Sequence, residues 1–291
     1  MKKGLLLTLA LISLGSLAAC GKKTQDEKAE ATASEKITVV SREDGSGTRG
    51  AFIELFGIEE KGNDGSKKDL TTKEAVIANK TDVMLNNIKS DESAIGYVSL
   101  GSLKKSVKAL KIDGVEATSE NIKNKSYPIA RPFMIATKGE AKGLAKDFIH
   151  YILSKEGQEV VSDSYIPVNE AAESFTGEKP EGKISIAGSS SVTPIMEKLK
   201  EAYLGLNPKA KIEIQMTDST AGMTATMEGA ADIGMASRDL KESELKELTS
   251  VPIALDGIAV VVNPKNKADN LTKDQVKNIF TGKTSTWDET L

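Results

Sequence analysis

The chain has 291 residues, of which 39% are hydrophobic and 28% are charged, so it is long and apolar enough to bury one large core or two smaller ones. It contains one cysteine and one histidine. These counts exclude a disulfide framework and a cysteine-rich metal site, and they leave little room for zinc or Ser-His-Asp chemistry. The formal net charge of −3 provides no basic field that would hold nucleic acid.

The N-terminal segment has the parts of an export signal: a basic start, an apolar run at 5–17, and small residues before Cys20. The run is short for a membrane-spanning helix. The sequence LAAC-Gly resembles a bacterial lipobox, which implies removal of residues 1–19 and a diacylglyceryl group on Cys20. Removal would leave a net charge of −5, because two lysines and no acidic residues are lost. Polar residues 20–35 predict a flexible tether, so we expect a globular part outside the cytoplasmic membrane, held by lipid.

The first half of the globular part alternates between strand-like and helix-like segments. A β-rich run at 36–40 leads through the loop SREDGSGTRG into a helix that ends at Gly57. The sequence then predicts a polar loop at 60–72, a helix within 73–90, strands at 94–100, 107–112 and 127–137, and a helix at 143–154. The single histidine, His150, is predicted to be a partly buried residue of that last helix.

The second half repeats the alternation after a polar, Gly- and Pro-containing linker at 170–183. Pro194 predicts the first turn of one helix, and Thr272 is predicted to cap another at 271–280. Strands are predicted at 184–187, 211–216, 231–237 and 256–263. The whole pattern predicts an α/β fold with largely parallel sheets.

Three strand-to-helix loops rich in Gly, Ser and Thr are candidates for an anion site: 44–48, 188–191 and 218–222. A helix N-terminus presents N–H groups without intrahelical partners and about half a positive charge, which favours an oxyanion. For any single loop, ordinary helix capping explains the same residues. Arg42 precedes the first loop and could bind two ligand oxygens, or form a surface ion pair with Asp44, or do both. Since the net charge is negative, the attraction must be local, which favours an enclosed cleft.

Several motifs together resemble the substrate-binding lipoproteins of bacterial phosphate ABC importers, over residues 36–291. They are SREDGSGTRGAF, GSSSVTP, DSTAG, DIGMASRDL, DGIAVVVNP, LTKDQVKNIFTGKTSTW, AIGYVSLG and RPF. The resemblance implies a type II periplasmic-binding-protein fold, with two α/β lobes and a ligand cleft between them. It implies no catalytic residue, no metal ligand and no cofactor.

The resemblance also implies a phosphate site. The matching contacts are Arg42, Ser46, Gly47, Thr48, Ser190, Ser191, Ser219 and Ser237, with Asp44 holding the arginine. Many members carry, after a serine, an aspartate that accepts the proton of a protonated phosphate and so excludes sulfate. Here Arg238 follows Ser237, and either Arg238 or the supporting residue Asp239 could face the ligand.

The order of the motifs differs from that of the family, because SREDGSGTR comes first and GSSSV follows the linker. This order resembles a circular permutation in which the usual ends are joined through 170–183. It predicts that Lys36 and Leu291 are neighbours in one lobe. Lobe B would comprise 36–128 plus 263–291, and lobe A would comprise 129–262.

The leading functional hypothesis is a monomeric receptor that passes inorganic phosphate to the permease and ATPase subunits of an ABC importer, anchored to the membrane through Cys20. No nucleic-acid partner is expected. One alternative is a receptor for sulfate, molybdate or another oxyanion. Two others are a phosphate-ester hydrolase that uses a loop serine, and a surface adhesin or phosphate sensor.

Overall fold

The structure is a computed structural model that describes residues 35–62 and 67–290. The predicted signal segment 1–19, Cys20, the tether up to residue 34, and Leu291 lie outside the described residues. Among the helices that are described, none combines the length and the apolar character needed to cross a membrane.

The strands and helices alternate along the chain. The strands are β1 (Thr38–Arg42), β2 (Glu59–Lys61), β3 (Lys67–Asp69), β4 (Val76–Ala78), β5 (Ala94–Ser99), β6 (Lys108–Ala109), β7 (Lys111–Ile112), β8 (Ala130–Lys138), β9 (Ile166–Pro167), β10 (Gly182–Ser189), β11 (Ala210–Thr217), β12 (Ile233–Ala236), β13 (Leu248–Val262) and β14 (Asn270–Leu271). The helices are α1 (Gly47–Leu55), α2 (Thr81–Ser90), α3 (Ser119–Lys123), α4 (Gly143–Leu153), α5 (Lys155–Ser162), α6 (Thr193–Leu206), α7 (Ser219–Met227), α8 (Glu242–Leu245) and α9 (Lys273–Phe280).

Within the part of the chain that the structure describes, ten strands form one mixed sheet. Its order is β11-β10-β12-β8-β13-β5-β1-β4, with β6 and β9 also paired to β13. The two flanks are parallel: β1 pairs with β4 and β5, and β10 pairs with β11 and β12. In the middle, β8 is antiparallel to β12 and β13, and β13 is antiparallel to β5. The predicted parallel arrangement therefore holds for the flanks only, since β8 and β13 run back through the centre.

The strand β13 is 15 residues long and connects the two halves of this sheet. Residues 248–257 pair with β8, and residues 258–262 pair with β5. Residues 258–262 (IAVVV) are all buried, as expected for a strand with sheet neighbours and covered faces. The sequence predicted only the second half of this strand, because Thr249, Ser250 and Pro252 interrupt the apolar pattern of its first half.

The buried apolar side chains divide into two groups that coincide with the two halves of the sheet. One group comes from residues 37–129 and 258–287, and the other from residues 133–254. In the first group, Phe52 of α1 stacks on Tyr97 with ring centroids 3.9 Å apart. In the second, Phe148 of α4 packs against Tyr203 of α6 at 5.1 Å. Each half of the sheet thus has its own core.

The described ends of the chain lie side by side. The N–H of Ile37 donates to the carbonyl of Ser285 (2.8 Å), and the N–H of Trp287 donates to the carbonyl of Glu35 (3.0 Å). The buried Trp287 indole also donates to the carbonyl of Ser93 (3.0 Å). The pairing brings the Lys36 region against residues 285–287, which is the neighbourhood that the motif order predicted, with Leu291 itself outside the described residues.

The predicted linker at 170–183 forms neither helix nor strand until β10 begins, yet it is anchored to the second core. The carboxylate of Asp147 accepts hydrogen bonds from the N–H groups of Glu178 (2.8 Å) and Lys179 (3.3 Å) and from the Tyr203 hydroxyl (2.7 Å). The ring of Phe175 also packs edge-on against a core tyrosine. One buried acid therefore stabilises a segment whose composition predicts only a linker.

Local differences from the sequence predictions occur where the polar pattern was ambiguous. The predicted loop at 60–72 contains the β2–β3 hairpin, and the region 73–90 is divided into β4 and α2. The β-branched pair Val76-Ile77 favours a strand beside β1 over a longer helix. His150 is exposed rather than partly buried, with its ring 5.4 Å from that of Phe175.

Candidate functional site

Loops from both halves of the molecule meet beyond the ends of four strands. The carboxyl ends of β10, β11 and β12 share one edge because these strands are parallel, and the loop after β1 approaches them from the other half. Backbone contact is direct: the N–H of Thr220 donates to the carbonyl of Gly45 at 3.2 Å. The three loops that the sequence singled out therefore converge on one place.

The centre of this place is a set of buried hydroxyls, which we call the hydroxyl cluster. It consists of Thr48, Thr81, Ser189, Ser190, Ser191, Ser219 and Ser237, all buried. The oxygen-to-oxygen distances are 2.8 Å for Thr48–Ser191, 3.0 Å for Ser189–Ser237, 3.2 Å for Thr81–Ser190 and 3.5 Å for Ser219–Ser237. Each hydroxyl can donate or accept, so the cluster can present several hydrogen bonds to one polyatomic anion.

The first turn of α1 points into the hydroxyl cluster. Ser46 is the N-cap, and its side chain accepts from the N–H of Arg49 at 3.3 Å. Gly47 follows, and a Cβ at this position would overlap the hydroxyl oxygens of Ser219 and Ser237. Only glycine allows the helix to approach the opposite loops so closely. The N-terminus of α1 thus brings its partial positive charge to the cluster.

Arg42 lies beside the cluster at the end of β1 and is 3% exposed. Its guanidinium donates to both carboxylate oxygens of Glu43 (2.7 and 2.8 Å) and to the carbonyl of Ala78 (3.1 Å). It also donates to the hydroxyl of Ser190 from the other half, at 3.0 Å. The arginine is therefore held in place by its own half and reaches across to the opposite loop.

The expected pair between Arg42 and Asp44 is not formed. Asp44 is 97% exposed at its side chain and pairs with Arg49 at 2.7 Å. Arg49, in the first turn of α1, also forms an ion pair with Asp69 at 2.8 Å. Arg49, rather than Arg42, is therefore the partner of both aspartates. The carboxylate that holds Arg42 is Glu43, the neighbouring acid in the motif. The sequence could not distinguish these two adjacent acids.

Arg238 turns away from the cluster to an acid on α8. It makes a two-oxygen ion pair with Glu244, with both N···O distances 2.8 Å. The backbone N–H of Lys241 also donates to this carboxylate, and although burial opposes the effect, these partners hold the pKa of Glu244 below its usual range. The Arg238 stem lies over Gly47, and Asp239 is exposed at the surface. The structure therefore does not bring the predicted supporting residue Asp239 into the site.

A second buried arginine lies behind Ser237. Arg131 of β8 donates to the Ser237 carbonyl (2.9 Å) and to the Asp256 carboxylate (3.0 Å). Asp256 also accepts from the Ser99 hydroxyl (2.9 Å). Burial raises the pKa of Asp256, while Arg131 and Ser99 oppose the increase. This ion pair was not among the predicted site residues, since Arg131 was noted only within the RPF motif.

Most of the predicted site residues are brought together, and several more join them. The predicted residues in contact around the cluster are Arg42, Gly47, Thr48, Ser190, Ser191, Ser219 and Ser237, with Ser46 capping the adjoining helix. Sequence reasoning missed Glu43, Thr81, Ser189, Arg131, Asp256 and Glu244. Of these, only Ser189 and Glu43 had a signal, because each stands next to a predicted residue. Thr81, Arg131 and Asp256 come from elements distant in the chain, and Glu244 lies on the short helix α8 after the Ser237 loop.

The arrangement is suited to binding an oxyanion. Hydroxyls, helix N-termini and Arg42 all supply donors, and they are buried, where charge-assisted hydrogen bonds are strong. In the described ranges, no group of three or more His, Asp or Glu side chains could hold a metal ion. The three arginines around the cluster each have a carboxylate partner, so the ion pairs together carry little net charge.

Comparison with known proteins identifies the class. A family model described as a PBP superfamily domain matches residues 8–156 and 173–291. The chain is 52% identical to "Phosphate-binding protein PstS 2" of Streptococcus agalactiae, over 99% of both chains. A crystal structure of a phosphate ABC transporter, phosphate-binding protein from Streptococcus pneumoniae is 49% identical, with a TM-score of 0.69, and covers 87% of this chain and 99% of that one.

A more distant relative matches only in part. "Phosphate-binding protein PstS" of Bacillus subtilis is 36% identical over 115 residues, which is 38% of each chain. The chain therefore belongs to the PBP superfamily and, within it, to the family of PstS phosphate-binding proteins. Its mixed α/β sheet is that of the type II periplasmic-binding-protein fold.

Proposed function

We propose that the chain is an extracytoplasmic receptor that binds inorganic phosphate between two lobes and delivers it to an ABC importer. The observation that carries the proposal is the hydroxyl cluster, in which donors from both halves of the molecule meet beside Arg42. The names of the relatives, which share the chain's full length, give the ligand. Phosphate would be held by the hydroxyls, by the first turn of α1 and by the Arg42 guanidinium.

The proposed lobes follow the two cores. Lobe B would comprise 36–129 plus 258–290 and lobe A 130–257, because residues 258–262, expected in lobe A from the sequence, pack in the first core and pair with β5; β8 and β13 connect the two. Contacts between Thr48 and Ser191 and between Arg42 and Ser190 would close the lobes around the ligand. Such closure is a hinge motion. A lipid on Cys20 would keep the receptor beside the permease.

The direct test is a calorimetric titration of the purified protein with phosphate, sulfate and arsenate. We expect saturable binding of phosphate and of arsenate, its close analogue, with one site per chain. Absence of phosphate binding by the folded protein would refute the proposal. Turnover of a phosphate ester that disappears in Ser46→Ala would instead support the hydrolase.

A second candidate, a receptor for other oxyanions, is favoured by one observation. Arg238 stands where many family members have an acid, and the carboxylates of Glu43, Asp256 and Glu244 are already paired with arginines. A hydroxyl can turn to donate or accept, so the cluster could accommodate fully ionised sulfate as well as phosphate. Under this candidate, excess sulfate displaces phosphate from the native protein, and Arg238→Asp reduces that displacement. Phosphate binding unaffected by sulfate would remove it.

A further inference from the structure

Arg131 and Asp256 form a fully buried ion pair that the proposed ligand contacts do not include. Their side chains are 2% and 0% exposed. They lie on β8 and β13, the two strands that connect the halves of the molecule. A buried ion pair is costly to desolvate, and a pair of apolar side chains can often replace one without loss of stability. A contribution to stability therefore does not by itself explain why an ion pair occupies this position.

The pair is tied to the candidate site by direct contacts. Arg131 Nη1 donates to the carbonyl of Ser237, whose N–H in turn donates to the Ser219 hydroxyl (3.1 Å). The carbonyl and the N–H of Ser237 are thus both hydrogen-bonded, which fixes this residue within the hydroxyl cluster. From the other half, Ser99 of β5 donates to Asp256. The contacts run from lobe B through the ion pair to the cluster.

The charges of the pair are also close enough to act on the site. Burial lowers the pKa of Arg131, and the negative charge of Asp256 opposes this decrease. The positive charge of Arg42 lowers the pKa of Arg131 further, so the two guanidinium groups repel each other. Arg131 Nε has no hydrogen-bond partner among the described residues. The guanidinium is therefore incompletely satisfied, with its positive charge placed directly behind Ser237.

We infer that Arg131 and Asp256 are positioning residues for anion binding: Arg131 holds Ser237 in place and adds positive potential to the cluster, and Asp256 limits that potential. The inference rests on the proposed function, because it concerns the same anion site. It predicts opposite effects on affinity when one or the other charge is removed. A purely structural pair would weaken binding in both cases.

The experiment measures phosphate affinity by calorimetry and thermal stability for three full-chain proteins: the native protein, Arg131→Gln and Asp256→Asn. We expect Arg131→Gln to weaken binding about tenfold or more, as for a unit charge several ångströms away in an intermediate dielectric. We expect Asp256→Asn to tighten binding, since asparagine can still accept from Arg131 but no longer offsets its charge. Both variants should melt at lower temperature.

Lys183→Gln is the matched control, because it removes one positive charge from an exposed pair with Glu213 at the far end of β10. Its affinity should equal that of the native protein. If Arg131→Gln fails to fold, Arg131→Lys takes its place and should keep part of the affinity. Equal weakening by both pair variants, or unchanged affinity in both, would overturn the inference. Failure of the native protein to bind phosphate would instead refute the proposed function.

Discussion

At the scale of single residues, the guanidinium of Arg42 is held in place by hydrogen bonds within its own half of the molecule. Arg42 is fixed by Glu43 and by the carbonyl of Ala78, so little side-chain freedom remains to be lost on binding. The fork of the guanidinium suits two oxygens of a tetrahedral anion. A lysine at the same position would keep the charge and lose this geometry.

Replacing Arg42 with alanine should therefore weaken phosphate binding much more than it weakens folding. We expect a loss of about 2–5 kcal/mol of binding free energy, the range for truncating one partner of a buried charge pair. Glu43, 19% exposed at its side chain, can then turn to water, which limits the cost to stability. Titration calorimetry measures the first quantity and thermal melting the second, with Lys183→Ala as the control. Unchanged affinity in Arg42→Ala would exclude Arg42 from the site.

At the scale of elements, α1 connects the first core to the site. Its N-terminus reaches the hydroxyl cluster at Gly47, and Phe52, one turn further on, is fully buried against Tyr97 and Phe280. The position of the helix end is thus set by an aromatic contact on the same helix. Packing in the core and geometry at the site depend on each other.

Phe52→Ala should lower the free energy of unfolding by about 3–5 kcal/mol, since it removes a fully buried ring and leaves a cavity. Chemical denaturation measures the change. The exposed Val83 of α2 offers a control, for which Val83→Ala should alter stability little. If Phe52→Ala is as stable as the native protein, the ring stack does not contribute to the core as described.

The sequence predicts these elements unevenly, for physical reasons. Strands with continuous apolar runs, such as β5, and helices with clear caps, such as α9, are recognisable because local signals agree with their burial. The first half of β13 is not, because it depends on pairing with β8. The choice between Glu43 and Asp44 as the partner of Arg42 depends on side-chain directions, which the sequence does not contain. The serines of the site are recognisable in loops, whereas Arg131 and Asp256 are placed by the fold alone.

At the scale of the whole molecule, the described ends pair with each other and the predicted linker at 170–183 is anchored to a core. Adjacent ends are what the circular-permutation hypothesis predicts of this chain, and the hypothesis stays a prediction. Adjacent ends at a surface are the condition under which a fold tolerates rejoining and cutting elsewhere.

A chain in which the GSSSV segment precedes the SREDGSGTR segment tests this idea. It would join the C-terminus to Lys36 through a short Gly-Ser connection and open the chain within 176–181. We expect it to fold and to bind phosphate with native affinity, as measured by circular dichroism and calorimetry. A chain opened inside β13 serves as the control and should not fold. Failure of the rearranged chain to fold would contradict the permutation.

The change of partner along β13 has a mechanical consequence. Up to Gly257 the strand is hydrogen-bonded to β8, and from Ile258 onward it is hydrogen-bonded to β5, so each portion belongs to a different half of the sheet. Any rotation of one half against the other must change the backbone torsions at this switch point and at the start of β8, the other connection between the halves. Amide deuterium uptake there should slow when the protein captures its anion, while the flanking stretches of the strand remain equally protected in both states.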